Sequence, residues 1–360
     1  MPIPISASDL ASALLHTRPT ESKLSPSRPL SDLMPRVNSD VPESGVVRNL
    51  LVIDYSFEWK AAFESSKLAN GDRLRVRQCE WRQLHLVGGI DSCVAMIEKE
   101  GQEEEKFPVD FCLFRNFPMS LHDQDFRQQL LTLQVANVPG VNSPASLWQL
   151  SHRALSHGLL AQTCVPVIPL RWFPNNQSPG GAADQIAHLL PLGETERGHS
   201  WRFPLVLKSG SADGGYGKVK VSDEAQLRDV VGTLRLTRLP FSLEPCLSIR
   251  SEYRLQAIGQ NVICYERVST TSWKNNTGNV RFAHREVLPR HREWCASVQK
   301  VLKIDMFALD VAVLDDETEV ILEVNDSAFG LWWQRSAEDR QQIRDLVLQR
   351  MQETFNPKSS

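Results

Sequence analysis

Hydrophobic and polar positions change rhythm several times along the chain. The run Leu50-Leu51-Val52-Ile53 ends at Asp54, as in a strand buried on both faces of a parallel sheet. The spacing predicts a helix over 57–68, closed by Asn70-Gly71, then strands over 73–80 and 109–114. Phe126, Leu130 and Leu133 recur at helical spacing within 125–135, which leads into Val138-Pro139-Gly140-Val141-Asn142-Ser143. Strands alternating with helices in this way indicate an open α/β sheet of about 100 residues.

Residues 143–162 read as mostly helical, with Pro166 and Pro169 closing them. Polar stretches at 174–181 and 193–200 read as loops. A strand-rich part follows, with strands over 205–208, 218–221, 254–258, 262–268, 306–314 and 320–325. The last helix spans 337–355. Ser336 is placed to cap it, Glu338 and Asp339 suit its first turn, and Ile343, Leu346, Val347 and Met351 form its apolar stripe. Residues 1–47 are Pro- and Ser-rich without a period and read as a disordered arm. Arg28 stands three residues before Ser31 there, a spacing that basophilic kinases accept and that chance also supplies in a Ser-rich arm.

Composition narrows the class. A chain of 360 residues, 41% hydrophobic and 23% charged, has room for two or three ordinary globular domains. Its formal charge of -3 lacks the basic surplus of a general nucleic-acid binder. Seven scattered cysteines without a Cys-x-x-Cys pair suit free thiols in a reducing compartment. No apolar run approaches the roughly 20 residues that span a bilayer, and no basic-then-apolar leader opens the chain. The expected location is cytoplasmic.

Candidate chemistry concentrates in 203–221. Two short apolar strands flank a loop with Gly210, Gly214, Gly215 and Gly217, and Lys208 and Lys218 stand beside it. Glycines let backbone N–H groups approach phosphate oxygens, and lysine adds a point charge. The loop is no Walker A sequence, because Ala212 holds the first glycine position and Val219 follows Lys218. Nor does it carry Gly-x-Gly-x-x-Gly. Downstream, Glu244 ends a short strand and can accept from an adenine amino group or a ribose hydroxyl. Lys274 lies in Ser272-Trp273-Lys274-Asn275-Asn276-Thr277-Gly278, from which it can reach over a polyphosphate. Asp310, Glu323 and Asn325 lie on two strands joined across Asp315-Asp316. Period-two alternation puts Glu323 and Asn325 on one face, and such hard oxygen donors suit a divalent cation.

These four elements follow the order and spacing of the ATP-grasp superfamily, and residues 50–355 resemble the central ATP-binding region of the synapsin family. The resemblance rests on Asp125-Phe126-Arg127 with Val141-Asn142-Ser143, Phe203-Pro204-Leu205-Val206-Leu207-Lys208, Gly217-Lys218-Val219-Lys220-Val221 and Glu244-Pro245. Tyr253-Arg254-Leu255-Gln256-Ala257-Ile258-Gly259, Trp273-Lys274-Asn275-Asn276-Thr277-Gly278 and Glu338-Asp339-Arg340-Gln341 extend it.

The resemblance implies a pre-ATP-grasp open α/β domain over 48–145 and a two-lobed ATP-grasp domain over 146–356, α/β and in part α+β. It also implies homodimers, ATP held with Mg²⁺ or Ca²⁺, peripheral association with synaptic or secretory vesicles, and cytoskeletal partners. Matching positions make Lys208, Lys218 and Lys274 phosphate ligands, put Glu244 at the adenine–ribose hinge and put Glu323 at the metal. Arg153 stands where the family has lysine, which keeps the charge and changes its geometry. Asp310 and Asn325 give the metal pattern of catalytic ATP-grasp ligases, which join a carboxylate to an amine. The expected activity is ATP binding without catalysis, with such a ligase as the alternative.

Overall fold

The structure, a computed structural model, describes residues 45–98, 106–119, 125–174, 190–210, 217–237, 239–269 and 280–357. Its first layer is a parallel sheet of order β2-β1-β6-β7, built from β1 (Val47–Ile53), β2 (Arg73–Cys79), β6 (Phe111–Phe114) and β7 (Gly140–Val141). Leu50 through Ile53 are wholly buried. Leu50 and Val52 face Trp59, Phe63, Ile343 and Val347, while Leu51 and Ile53 face Leu130 and Leu133. A continuous apolar run is the pattern that cover on both faces requires.

Differences from the sequence expectation have local causes. The helix expected over 57–68 is the five-residue α1 (Trp59–Phe63). Beyond it Leu68 turns into the core, and its amide bonds the Asp72 carbonyl at 2.9 Å across the turn in which Gly71 holds φ +86°. A small antiparallel sheet was absent from the expectation: β3 (Leu84–Gly88), β4 (Cys93–Ile97) and β5 (Lys106–Pro108). Its opposed Val87 and Val94 are both exposed, which blurs the alternation that marks a half-buried strand. Helix α2 (Arg127–Val135) falls where its spacing placed it.

The stretch 143–162 divides into α3 (Pro144–Leu150) and α4 (Arg153–Leu160), and Ser143 caps the first by accepting from Ser146 N. Then come β8 (Arg171–Phe173) and a hairpin of β9 (Thr195–Glu196) and β10 (His199–Ser200), in place of a loop. Beyond them lie β11 (Leu205–Ser209), β12 (Lys218–Val221), α5 (Glu224–Thr237) and β13 (Phe241–Pro245). Strands order β12-β11-β13-β8, all antiparallel, over a core of Leu205, Leu207, Val221, Leu227, Val231 and Phe241.

The second lobe holds β14 (Ile249–Ile258), β15 (Asn261–Ser269), β16 (Val280–Arg285), α6 (Pro289–Leu302), β17 (Met306–Leu314) and β18 (Glu319–Asn325). Its sheet runs β16-β15-β14-β17-β18, antiparallel, with α6 packed beneath.

Helix α7 (Ser336–Phe355) buries the expected stripe of Ile343, Leu346, Val347 and Met351, together with Ile258, Met306 and the first sheet. Its start differs from expectation. Arg335 holds the cap position, and the Ser336 hydroxyl donates instead to the Trp333 carbonyl at 3.0 Å. Asp339 is fully buried and accepts from Gln256 Nε2 at 2.9 Å. Asn142 joins the α/β layer to the second lobe: Nδ2 donates to the Met306 carbonyl at 2.7 Å, and Oδ1 accepts from the Asp305 and Met306 amides at 2.8 Å.

Candidate functional site

Alternation along β11 sends Leu205 and Leu207 into the core and Lys208 to the other face of its sheet. Register does the rest. Trp172, Ser242, Lys208 and Lys218 stand directly opposite one another on four adjacent strands, so their side chains share that face. Glu244, two residues beyond Ser242, belongs to the same face. It lies inside β13 at 2% exposure, so it is a buried acid. Gly217 carries φ +66° where the chain re-enters β12, and its carbonyl accepts from Ser209 N at 2.9 Å.

A buried acid needs partners, and Glu244 has two. Lys208 Nζ reaches Oε2 at 2.6 Å, and Arg153 on α4 reaches Oε1 through Nη2 at 2.8 Å and Nε at 3.2 Å. Arg153 Nη2 also donates to the Leu322 carbonyl on β18 at 2.6 Å, which ties the two lobes across the cleft. Glu323 completes the chain, 3.8 Å from Arg153 Nη1 and 3.6 Å from Lys218 Nζ. The chain thus links three cations, Arg153, Lys208 and Lys218, through two carboxylates, Glu244 and Glu323.

The electrostatics follow from burial. Burial pulls the Lys208 ammonium down to about 8, with Arg153 adding to the effect and Glu244 opposing it. Burial also works against the Glu244 charge, but Arg153 and Lys208 together hold its carboxyl at about 2. His157, one turn beyond Arg153, is 3% exposed, and burial with the Arg153 charge pushes its imidazole well below the usual range. It is neutral at physiological pH.

Asp310, in the middle of β17, stands near Glu323 and Asn325 at the end of β18. Asp310 opposes Glu323, Ala308 opposes Asn325, and the register shifts after Asp310. Both Asp310 oxygens are engaged by Arg254, at 2.6 Å from Nε and 2.8 Å from Nη2, and Asn325 Nδ2 lies 3.3 Å from Oδ2. Burial opposes the Arg254 charge, and Asp310 more than offsets it, so its pKa rises. Among the described residues no group of three or more His, Cys, Asp and Glu side chains forms a ready cation cage.

Glu323 and Asn325 both line a cavity of about 390 Å³ beside the Lys208 cluster, and Asp310 stands behind them. That donor set fits a divalent cation whose remaining ligands are phosphate oxygens, because Mg²⁺ characteristically takes few protein carboxylates beside substrate phosphates. Gly214, Gly215 and Lys274 lie outside the described residues.

Three neighbours of this site escaped sequence reasoning. Arg254 lies in the buried half of β14, between Tyr253 and Leu255, where a buried charge calls for a partner such as Asp310. His157 and Trp172 carried no motif, and only strand register and helix phase place them at the cleft.

Comparison with known proteins agrees with this architecture. Residues 43–140 match the family described as the synapsin pre-ATP-grasp domain, and residues 195–353 match the synapsin ATP-binding domain. Synapsin of Drosophila melanogaster is 26% identical over 325 residues, which cover 86% of this chain. They make up 30% of that relative's length, so the chain spans about a third of it.

Similar solved structures include D-alanyl-alanine synthetase A of Vibrio cholerae (TM-score 0.57, 14% identity, 86% of this chain and 98% of that one). A RimK-domain ATP-grasp protein of Sphaerobacter thermophilus gives TM-score 0.54 at 17% identity, over 83% of this chain and 99% of that one. The ligase PsnB, complexed with a minimal precursor, Mg and ADP, gives TM-score 0.52 at 16% identity, over 84% and 96%. These likenesses show the ATP-grasp fold. With a pre-ATP-grasp domain followed by an ATP-binding ATP-grasp domain, the chain belongs to the synapsin family.

Proposed function

We propose that this chain binds ATP with Mg²⁺ or Ca²⁺ in the cleft between its two lobes. In this reading it is a regulatory, non-catalytic protein peripheral to synaptic or secretory vesicles. The observation that carries the nucleotide claim is the Lys208–Glu244–Arg153 cluster with Lys218 and Glu323: linked buried charges of which Arg153 and Glu323 line a cavity. Lys208, Lys218 and Lys274 bind phosphate oxygens, with backbone N–H groups of Gly214, Gly215 and Gly217 beside them. Glu244 orients the base or ribose, and Arg153 gives up part of its contact with Glu244 to the nucleotide. Glu323 and Asn325 hold the cation, which supplies charge neutralisation between phosphates, and Asp310 orients Asn325.

Family membership supports the vesicle role, a homodimer and cytoskeletal contact. Among the described residues, no helix is long and apolar enough to cross a membrane. The test is a melting curve. ATP with either cation raises the melting temperature, and Lys208→Ala removes the rise. An unchanged curve at millimolar ATP sinks the proposal.

The contact of Asn325 with Asp310, beside Glu323, favours a second reading, an ATP-grasp ligase that activates a carboxylate for attack by an amine. ADP release that depends on one specific carboxylate–amine pair, across metabolite pools, selects it. Absence of turnover leaves the regulatory reading.

A further inference from the structure

One side chain of the α/β layer holds the loop that follows the proposed cation donors. Arg115 comes directly after β6, at the carboxyl end of the parallel sheet. Its Nη2 donates to the Phe329 carbonyl at 3.0 Å, and its Nη1 donates to the Ser327 carbonyl. Both carbonyls lie just beyond Asn325, the last residue of β18.

The accepting carbonyls belong to a closed turn. Asp326 Oδ1 accepts from Ala328 N at 2.7 Å, and the Asp326 carbonyl accepts from Phe329 N at 3.2 Å. Residues 326–329 therefore move as a unit. At the head of the turn Asn325 and Asp326 both line the cavity. At its other end Phe329 is 2% exposed and belongs to the core that holds Val52, Phe111 and Ile343. A shift of the α/β layer is thus passed to the cavity wall.

A guanidinium suits this place for two reasons. Its planar fork holds two acceptors at once in fixed geometry, which an ammonium on a flexible stem does not. Its charge is also used. Burial lowers the Arg115 pKa, and the carboxylates of Asp54, Asp326 and Asp339 oppose that loss. All three acids are buried, Asp54 beside the end of β1 and Asp326 at the cavity. A tie that served only to bury surface needs neither fork nor charge. Arg115 Nε and Ser327 Oγ are buried without hydrogen-bond partners, so the two carbonyl bonds are the polar link between Arg115 and the turn.

We propose that Arg115 is a positioning residue for the cation: it sets Asn325 and Asp326 at the cavity wall, so that cation affinity depends on how the α/β layer seats on the second lobe. The inference rests on the reading of Glu323 and Asn325 as cation donors. Arg115 is itself no part of the cavity lining. A partner that shifts the α/β layer changes cation affinity without entering the cleft.

The test titrates the full chain, saturated with ATP, with Mn²⁺ read by electron paramagnetic resonance. Calorimetry measures ATP affinity without metal. Arg115→Lys keeps the charge and loses the fork, and Arg115→Gln loses both. Each lowers Mn²⁺ affinity at least tenfold, as an outer-shell partner does, while metal-free ATP affinity stays within about threefold. Phe329→Leu loosens the other anchor of the same turn and lowers Mn²⁺ affinity at least threefold. Asn142→Ala loosens the same junction through bonds to residues 305 and 306, and it leaves Mn²⁺ affinity within about twofold.

Unchanged Mn²⁺ affinity in a folded Arg115→Lys chain overturns the proposal. So does an equal loss in Asn142→Ala, which marks general loosening of the junction. Where Arg115→Lys does not fold, unchanged affinity in Phe329→Leu overturns it. A wild-type chain that binds ATP but no Mn²⁺ beside it overturns the cation reading and this inference together. A wild-type chain that binds both, and variants that keep both, overturn this inference alone.

Discussion

Asp310 gives both of its carboxylate oxygens to Arg254, at 2.6 and 2.8 Å, from directly opposed positions on β17 and β14. The pair is buried, and it stands behind the residues that face the cavity. Removing one partner strands a charge, whereas removing both replaces them with apolar volume. Arg254→Met is expected to cost about 3–5 kcal/mol, and Arg254→Met with Asp310→Leu to recover most of that loss. Urea denaturation at neutral pH checks both.

The low Lys208 pKa makes ATP binding depend on pH. Phosphate oxygens favour the ammonium, so binding raises a pKa of about 8 and takes up a proton as pH passes it. ATP affinity is expected to fall as pH rises through 8, by up to about tenfold per unit. Calorimetry in buffers of different ionisation enthalpy reads the proton uptake directly.

Stability without ligand has two pH windows of its own. The Lys208 pKa is depressed from 10.5 to about 8, so between those values the unfolded chain holds more protons and stability rises with pH. The Glu244 carboxyl is depressed from 4.5 to about 2, so its contribution is present above 4.5 and lost as pH falls toward 2. Denaturation midpoints across pH 3–10 show both slopes, and Glu244→Gln removes the acid one.

Glu323 is the charged member of the proposed cation donors, and it lines the cavity. Glu323→Gln is expected to weaken the divalent cation by more than the roughly 10–100-fold that outer-shell partners cost, and to leave ATP affinity without metal nearly unchanged. Mn²⁺ binding in the presence of ATP, read by electron paramagnetic resonance, measures it.

Asn142 satisfies three backbone groups at the junction with the second lobe. Asn142→Ala leaves them buried without partners, and an expected loss of ~3 kcal/mol follows from about 1–3 kcal/mol per stranded group. The denaturation midpoint should fall with its slope unchanged.

Much of this fold was legible as pattern. The all-apolar run at Leu50–Ile53, the strand over 306–314 and the stripe of Ile343, Val347 and Met351 each carry one dominant period, and each sits where that period placed it. Short helix α1 was less legible, because the turn at Gly71 and the buried Asp72 end it from outside its own sequence. Strands β3 and β4 escaped because Val87 and Val94 break their alternation.

At the site, sequence picked out Lys208, Lys218, Glu244, Arg153 and Glu323 as separate positions. Their alternating chain of charges is a product of strand register and of α4 lying across the cleft. Arg254, His157 and Trp172 depend wholly on such long-range pairing, for which a single sequence holds no local signal.

The central claim is that Lys208 and its neighbours form one wall of an ATP site, and the most direct test is titration calorimetry of ATP with Mg²⁺. Wild-type chain should bind one ATP per chain, Lys208→Met should lose at least tenfold in affinity, and Lys218→Ala should lose it independently. No binding heat at millimolar ATP, or wild-type affinity in a folded Lys208→Met chain, would contradict the account.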